Sequence, residues 1–462
     1  MHRREHRECR EKTKEKKPRK GLRFFFFLFS VFSAFSAVNS SLCLCDSVVR
    51  SNVQPRSVDL VEYLGTPAWH AQGWRGQGVK VAILDSGFRN YQAHLGTTLP
   101  KTVHVCSFRW DGNLEAKDSQ HGISCAEVIH VLAPEAELLL ANWEPECPDR
   151  FLAAVRWARE QGARVLCCSL IMPSWSDGEG HGRIHEELTR LLGPGDALFF
   201  ASAGNTAQRH WSGPFEDGGD GYHVWRDAAS TVHRENIIYP WGGERVSVEL
   251  CCPSASTYEV MISDAATEQI VGRVQSADAG GVGNAVIAFW PEADRYYQVR
   301  VRRLPQRRNK EGQRRNQDIA DASFLLYPSS FHLTVLGGGL RYTTPGGSIP
   351  FPGDGGEVIA VGAVDAAGRR LAYSACGPKP GMVKPDLVAR VPFPSRFRTQ
   401  PFAGTSAAAP QAGALAALIW SRHPDWNAPR ICAALRNAAR PCAANSPTWE
   451  TGHGLLHLPP PD

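Results

Sequence analysis

From Trp74 onward the chain alternates apolar runs with segments whose apolar positions recur every three to four residues. Val79–Leu84, Glu137–Asn142, Arg164–Leu170 and Ala197–Ser202 read as buried strands, and Ala126–Val131 and Phe151–Gln161 as helices between them. Strand and helix in turn predict an α/β fold, a parallel sheet with helices on both faces, because two parallel strands need a crossover long enough to hold a helix. The same texture returns at Val358–Val364 and in an Ala-rich helix over Thr405–Trp420.

Between residues 215 and 343 the period changes to two. Arg245–Leu250, Tyr258–Ile262, Ala285–Trp290, Tyr296–Val301, Ala322–Leu326 and His332–Leu336 are short strands parted by Gly, Pro, Asp and Ser. That spacing predicts an antiparallel β-sandwich, and the α/β texture on either side makes it an insertion. The expected organisation is a basic leader with a signal peptide (1–40), an N-terminal extension (41–74), a first α/β part (75–214), the inserted sandwich (215–343) and a second α/β part (344–462).

Charge changes the picture only at the N-terminus. The formal net charge is +5, but residues 1–23 carry 11 Lys/Arg against 4 Glu, which leaves the remainder near −2. A nucleic-acid-binding face needs Lys/Arg in excess on the folded part, so that function class is excluded. The run Arg300–Arg315, with eight Lys/Arg, reads as a solvated loop within the insert. After the basic start come the apolar stretch Phe24–Val38 and small residues at Ala34, Ser36, Ala37, Ser40 and Ser41. Positive, apolar, then small is the order of a secretory signal, and 15 residues fall short of the roughly 20 that cross a bilayer. The expectation is a secreted or cell-surface protein; the alternative is a chain anchored to the membrane by this segment. No later run is long and apolar enough to span one. Of 13 cysteines, Cys125, Cys167, Cys168 and Cys376 stand among core residues as thiols, and Cys432 with Cys442, or Cys106 with Cys147, are candidate bridges in an exported chain.

Four positions carry candidate chemistry. Asp85 follows the strand Val79–Leu84 directly, at the end of a parallel strand where active sites of such sheets gather. His121 opens His-Gly-Ile-Ser-Cys-Ala-Glu, Asn205 closes Phe-Ala-Ser-Ala-Gly-Asn after another apolar strand, and Ser406 lies in Gly-Thr-Ser-Ala-Ala-Ala-Pro at the mouth of the Ala-rich helix. A serine hydroxyl is a poor nucleophile without a histidine base and a carboxylate to orient it.

Together these motifs, in the order Asp, His, Asn, Ser, resemble the subtilisin-like serine proteases. Val-Ala-Ile-Leu-Asp85-Ser-Gly, His121-Gly with Leu-Ala-Pro-Glu-Ala-Glu-Leu downstream, Ala-Ser-Ala-Gly-Asn205 and Gly404-Thr-Ser406-Ala-Ala-Ala-Pro410 carry the resemblance, supported by Tyr373–Pro378, Val383–Val388 and Gly452-His-Gly454. It implies a subtilisin-like sheet and a serine endopeptidase cleaving protein or peptide substrates. Ser406 would attack the scissile carbonyl, His121 act as general base and then acid, Asp85 orient the imidazole, and Asn205 with the Ser406 N–H hold the oxyanion. It also implies pocket walls at Ser169, Leu170 and Ile171 and at Ala203 and Gly204, with small residues that suit an apolar side chain. No cofactor is needed for the chemistry. The competing class is a catalytically silent binding protein on the same fold, which would be free to lose any of these four groups.

The chain departs from the family pattern at Ile123, where threonine is usual, at Glu127, where glycine is usual, and at Arg390, where Val-Ala-Pro is common. A sedolisin-type site is disfavoured by the His-Gly context of His121. The segment 41–74 is too short for the folded prodomain many relatives use. Within the insert, Asp217 and Asp220 of Glu-Asp-Gly-Gly-Asp-Gly are candidate oxygen ligands for a structural Ca²⁺, against the plainer reading of a solvated turn.

Overall fold

A computed structural model of the protein describes residues 57–253, 256–278, 281–304, 330–379 and 381–461. Contacts divide the chain into Met1–Ser47, which lies outside the described residues, and Val48–Asp462, which holds every element named below. The expected leader, residues 41–56 of the N-terminal extension, the strand Ala322–Leu326 and the run beyond Leu304 also lie outside the described residues.

In chain order the first part contains α1 (Ser57–Tyr63), α2 (Thr66–Ala71), β1 (Lys80–Leu84), β2 (His104–Phe108), α3 (His121–Leu132), β3 (Glu137–Trp143), α4 (Pro148–Glu160), β4 (Val165–Cys168), α5 (Arg183–Leu192) and β5 (Leu198–Ser202). Then come β6 (His210–Pro214), the short ribbon β7 (Trp225–Arg226) and β8 (Val232–His233), β9 (Asn236–Pro240), β10 (Val246–Pro253), β11 (Tyr258–Asp264), β12 (Ile270–Gln275), β13 (Ala277–Asp278), β14 (Val282–Phe289), β15 (Tyr297–Arg303), β16 (Ser330–Leu336) and β17 (Gly338–Leu340). The chain closes with β18 (Val358–Val364), β19 (Leu387–Arg390), α6 (Thr405–Arg422) and α7 (Ala428–Ala438).

The central sheet is parallel throughout, in the order β19-β18-β5-β4-β1-β3-β2. Its inner strands β18, β5, β4 and β1 are almost wholly apolar and buried because both faces are covered, whereas the edge strand β2 (His104–Phe108) is partly exposed. On one face α3 and α6 pack with Val81, Ile83, Val165, Phe200 and Val361; on the other, α4 and α5 cover Leu84, Leu139, Leu166 and Phe199. The α6 helix lies in the middle of the protein, and nearly every residue from Thr405 to Ser421 is buried. A helix apolar all round belongs in a core, and its alanines let it approach the sheet closely. A Cβ at Gly413 would fall 2.5 Å from Cys167 Sγ.

The insertion forms two five-stranded antiparallel sheets, β13-β14-β10-β16-β6 and β12-β11-β15-β9-β17. Val246, Val248 and Leu250 of β10, Ala285 and Ile287 of β14, and Phe331, Leu333 and Val335 of β16 point inward against Val260, Ile262, Val299 and Val301 of the other sheet. With a side-chain period of two, the residues between them face outward, yet Glu249, Cys251, His332 and Thr334 are buried as well. That outer face is covered by the α/β part of the chain.

Element ends differ from the sequence reading where capping or tertiary contacts decide them. The α3 helix starts at His121, more than a turn before the expected Ala126, and α4 starts at Pro148, whose fixed φ suits a first helical position. The strand expected to reach Leu170 ends at Cys168. The three basic residues at the start of the predicted loop, Arg300, Arg302 and Arg303, are strand residues of β15. None of the ten described cysteines forms a disulfide, so neither Cys432 with Cys442 nor Cys106 with Cys147 is bridged; Cys125, Cys167, Cys168 and Cys376 are buried, as their sequence positions suggested.

Candidate active site

Asp85 is the first residue beyond β1 and is fully buried. Its Oδ1 accepts the N–H groups of Ser86 (2.8 Å) and Gly87 (2.9 Å), which leaves Oδ2 to meet His121 Nδ1 at 2.7 Å. His121 opens α3, and Gly122 lets that helix seat against the strand end. A Cβ there would lie 2.5 Å from Phe88 Cε1 and 2.9 Å from Asp85 Cβ. The edge of the imidazole packs on Phe402, with ring centroids 5.5 Å apart. Burial works against the charged ring, but the Asp85 carboxylate outweighs it and holds the His121 pKa well above its ordinary 6.5.

Ser406 lies in the first turn of α6, one residue after Thr405. Its N–H belongs to a turn whose amides lack intrahelical acceptors, at the positive end of the helix dipole. The hydroxyl donates to Ser169 O (3.3 Å), and the Ser169 hydroxyl returns a bond to Ser406 O (3.1 Å). Cys125 joins the two halves of the site. Its Sγ donates to Ser406 O at 3.8 Å and lies within 4.8 Å of the ligand atoms of both Asp85 and His121. Burial pushes the Cys125 thiol up, so it stays protonated.

Asn205 follows β5 on the other side of Ser406. Its Oδ1 accepts the N–H (3.0 Å) and the hydroxyl (2.9 Å) of Thr405, which fixes the amide plane and turns Nδ2 the opposite way. Nδ2 lies so close to Gly404 that a Cβ there would stand 2.9 Å from it, and Gly404 has φ +82°, a conformation that favours glycine. The backbone of Asn205 is held too, its carbonyl accepting from Arg209 Nε at 2.8 Å.

The expected wall residues leave adjacent strand ends, since Cys168 of β4 pairs with Ala201 of β5. Ser169 touches Ser406, and Leu170 and Ile171 are partly exposed beside it, Leu170 also packing on the core near α4. Gly204 is tied to Thr405 Oγ1 (3.2 Å), while Ala203 is fully buried in a small cluster with Ile349, Ala360 and Ala375 and so turns its side chain away. Thr405, Cys125 and the Ser169 hydroxyl escaped the sequence reading, because each acts through a tertiary contact with a motif residue.

The departures from the family pattern also find partners. Glu127 is buried and accepts from Ser395 Oγ (2.7 Å) and Arg396 N (2.6 Å), tying α3 to the segment before Phe402. Burial, its largest influence, raises the Glu127 pKa. Ile123 is fully buried, and the Arg390 guanidinium stacks 3.6 Å from the Tyr63 ring of α1. Asp217 and Asp220 each have protein partners. Asp217 Oδ1 accepts from the N–H groups of Gly219 and Gly221, and the Asp220 carboxylate faces Arg234 and Arg300. Two guanidinium groups beside one carboxylate oppose a divalent cation, so these contacts give the Ca²⁺ expectation no support.

The comparisons with known proteins agree with this geometry. The model of the subtilase family matches residues 76–233 and 338–454, more than half of the chain, and the gap falls within the sandwich. The chain belongs to the subtilase family. Among curated proteins it is similar to subtilisin DY of Bacillus licheniformis, 29% identical over 133 residues, which are 29% of this chain and 47% of that one. It therefore spans about half the length of that relative. Among solved structures, the CspB protease of Clostridium perfringens is similar in fold, with a TM-score of 0.58 at 14% identity, covering 86% of this chain and 96% of that one.

Proposed function

We propose that this chain is a serine endopeptidase that hydrolyses protein or peptide substrates through an acyl-enzyme on Ser406. The observation that carries the reading is the 2.7 Å bond between buried Asp85 and His121 at the site of Ser406, with the Asn205 amide oriented beside it. The Ser406 hydroxyl leaves Ser169 O, gives its proton to His121 Nε2 and attacks the scissile carbonyl. Asp85 keeps the proton on Nδ1 and stabilises the imidazolium. Negative charge then develops on the carbonyl oxygen, where Asn205 Nδ2 and the Ser406 N–H donate to it from a frame that needs no reorganisation. His121 returns the proton to the leaving amine, and water repeats the sequence to release the acid.

The partly exposed Leu170 and Ile171 support a preference for an apolar side chain on the acyl side of the bond. The order of charge, apolar run and small residues within 1–40 supports export, which would place the protease outside the cell or, with the segment retained, at a membrane surface. The test is cleavage of a peptide library by the full-length chain and by Ser406→Ala. Cleavage that vanishes in the variant supports the reading, and cleavage that survives in it refutes the assigned nucleophile.

A further inference from the structure

The outer face of the sandwich grips the segment that continues the wall of the proposed pocket, first at Ser174. Ser174 lies five positions beyond Ser169, in the short turn Pro173–Trp175 that continues the wall segment. Its N–H donates to Glu249 Oε2 of β10 at 3.0 Å, and its carbonyl accepts from Asn284 Nδ2 of β14 at 3.1 Å. Both backbone groups of one residue are thus gripped by neighbouring strands, Asn284 pairing with Cys251, two positions from Glu249 and so on the same face of the sheet. Glu249 is itself oriented, since Ser247 Oγ donates to its other oxygen at 3.1 Å. The contact continues along the same loop. A Cβ at Gly178 would lie 2.6 Å from the His332 ring of β16, and one at Gly182 2.6 Å from Val282 Cγ2 of β14.

A turn on the surface of an α/β domain normally finds water for its backbone groups. Here the sandwich supplies the partners from a rigid sheet, and only four residues separate Ser174 from the hydroxyl that holds Ser406. We propose that the insertion is a specificity-setting element of this protease, in which Glu249 and Asn284 position the wall Ser169–Met172 by gripping Ser174. The proposal rests on the peptidase reading above. Glu249 and Asn284 act as positioning residues; neither touches the substrate. A wall held at this distance keeps the pocket open to a defined side-chain size, and a released wall moves into the space that large side chains need.

The test uses the full-length chain, with substrates that differ only in the side chain before the scissile bond, Ala, Leu or Phe. Asn284→Ala and Glu249→Ala are each expected to change the ratio of kcat/KM between the Phe and Ala substrates by tenfold or more, most of it in KM. Glu249→Gln keeps an oxygen acceptor for Ser174 N–H and is expected to restore the wild-type ratio. Ile262→Val, which trims the sandwich core without touching Ser174, controls for loss of stability and should leave the ratio within twofold. Hydrogen exchange at 169–174 is expected to quicken in both alanine variants and gives a second readout. Unchanged ratios and unchanged exchange in the folded alanine variants overturn the proposal. A wild-type chain whose Ser406 fails to react with a fluorophosphonate overturns instead the peptidase reading on which it rests.

Discussion

Asn205 Oδ1 accepts two bonds from Thr405, one from the N–H at 3.0 Å and one from the hydroxyl at 2.9 Å. The residue just before Ser406 thereby sets which way the Asn205 amide is turned. Asn205→Ala removes the donor and is expected to lower kcat by about 10² to 10³, the range found when a subtilisin loses its oxyanion amide, with little change in KM. Thr405→Val keeps one of the two bonds to Oδ1 but also strips the Gly204 N–H of its acceptor. A fall of roughly 5- to 30-fold in kcat is expected, the cost of one or two neutral hydrogen bonds. Steady-state kinetics on one peptide substrate check both.

The acid limb of the pH–rate profile should belong to His121. The general base must be neutral, and its pKa is raised well above 6.5 by Asp85 despite burial. Activity therefore falls as pH drops through a value above 6.5. Asp85→Asn withdraws the carboxylate, so the limb should move to lower pH while kcat drops by about 10⁴, as the same change does in an unrelated triad. A kcat/KM profile from pH 5 to 10 measures both effects.

A second buried pair governs stability. His185 Nε2 meets Asp354 Oδ1 at 3.0 Å, its Nδ1 meets Glu357 Oε1 at 2.6 Å, and Ser176 Oγ donates to the other Asp354 oxygen. Burial alone would lower the His185 pKa, but Asp354 and Glu357 raise it to about 10; burial alone would raise that of Asp354, but His185 and Lys379 hold it down to about 2. Since the folded His185 value lies above 6.5, its contribution is complete below that pH and is lost as pH rises through about 10. The Asp354 contribution is complete above 3.8 and is lost as pH falls through about 2. Between them lies the window of full stabilisation. His185→Gln removes the cation hydrogen-bonded to Asp354, leaving only the more weakly acting Lys379, and should cost up to about 3–5 kcal/mol near pH 6. Thermal unfolding at pH 5.5, 7.5 and 9.5 should show the wild-type Tm converging on that of the variant as pH rises.

Gly122→Ala places a Cβ against Phe88 and the Asp85 side chain. The strand end and the helix start cannot both stay in place, so a loss of about 1–3 kcal/mol in stability is expected. The Asp85–His121 bond should lengthen with it, and kcat should fall more than KM rises. Chemical denaturation and kinetics on the same preparation separate the two effects.

Much of the architecture was legible because both faces of the central sheet are covered. Val358–Val364 is apolar throughout and Val79–Leu84 is apolar but for Lys80, and period-two runs marked the insertion. Asp85, His121, Asn205 and Ser406 were legible because each stands where a strand ends or a helix begins, in motifs that resemble a known family. What escaped depends on packing. Glu249 looks like an ordinary outward strand position and Asn284 stands just before an expected strand until the loop at Ser174 meets them, and Cys125 looks like a core thiol until α3 brings it beside His121 and Ser406. Helix α3 was read short because its first turn, His121–Cys125, mixes site residues with core residues and shows no clear period. The acidic turn at Asp217 and Asp220 offered ligand chemistry, and only the fold shows Arg234 and Arg300 on the second carboxylate.

The central claim is that Ser406 is the acylated residue, activated by His121. The most direct measurement is mass spectrometry of the full-length chain after reaction with a fluorophosphonate, with the adduct mapped to a peptide. A single adduct on Ser406, abolished in folded Ser406→Ala and greatly slowed in His121→Ala, is the predicted result. A folded wild-type chain that forms no adduct, or forms it on another residue, would contradict the account.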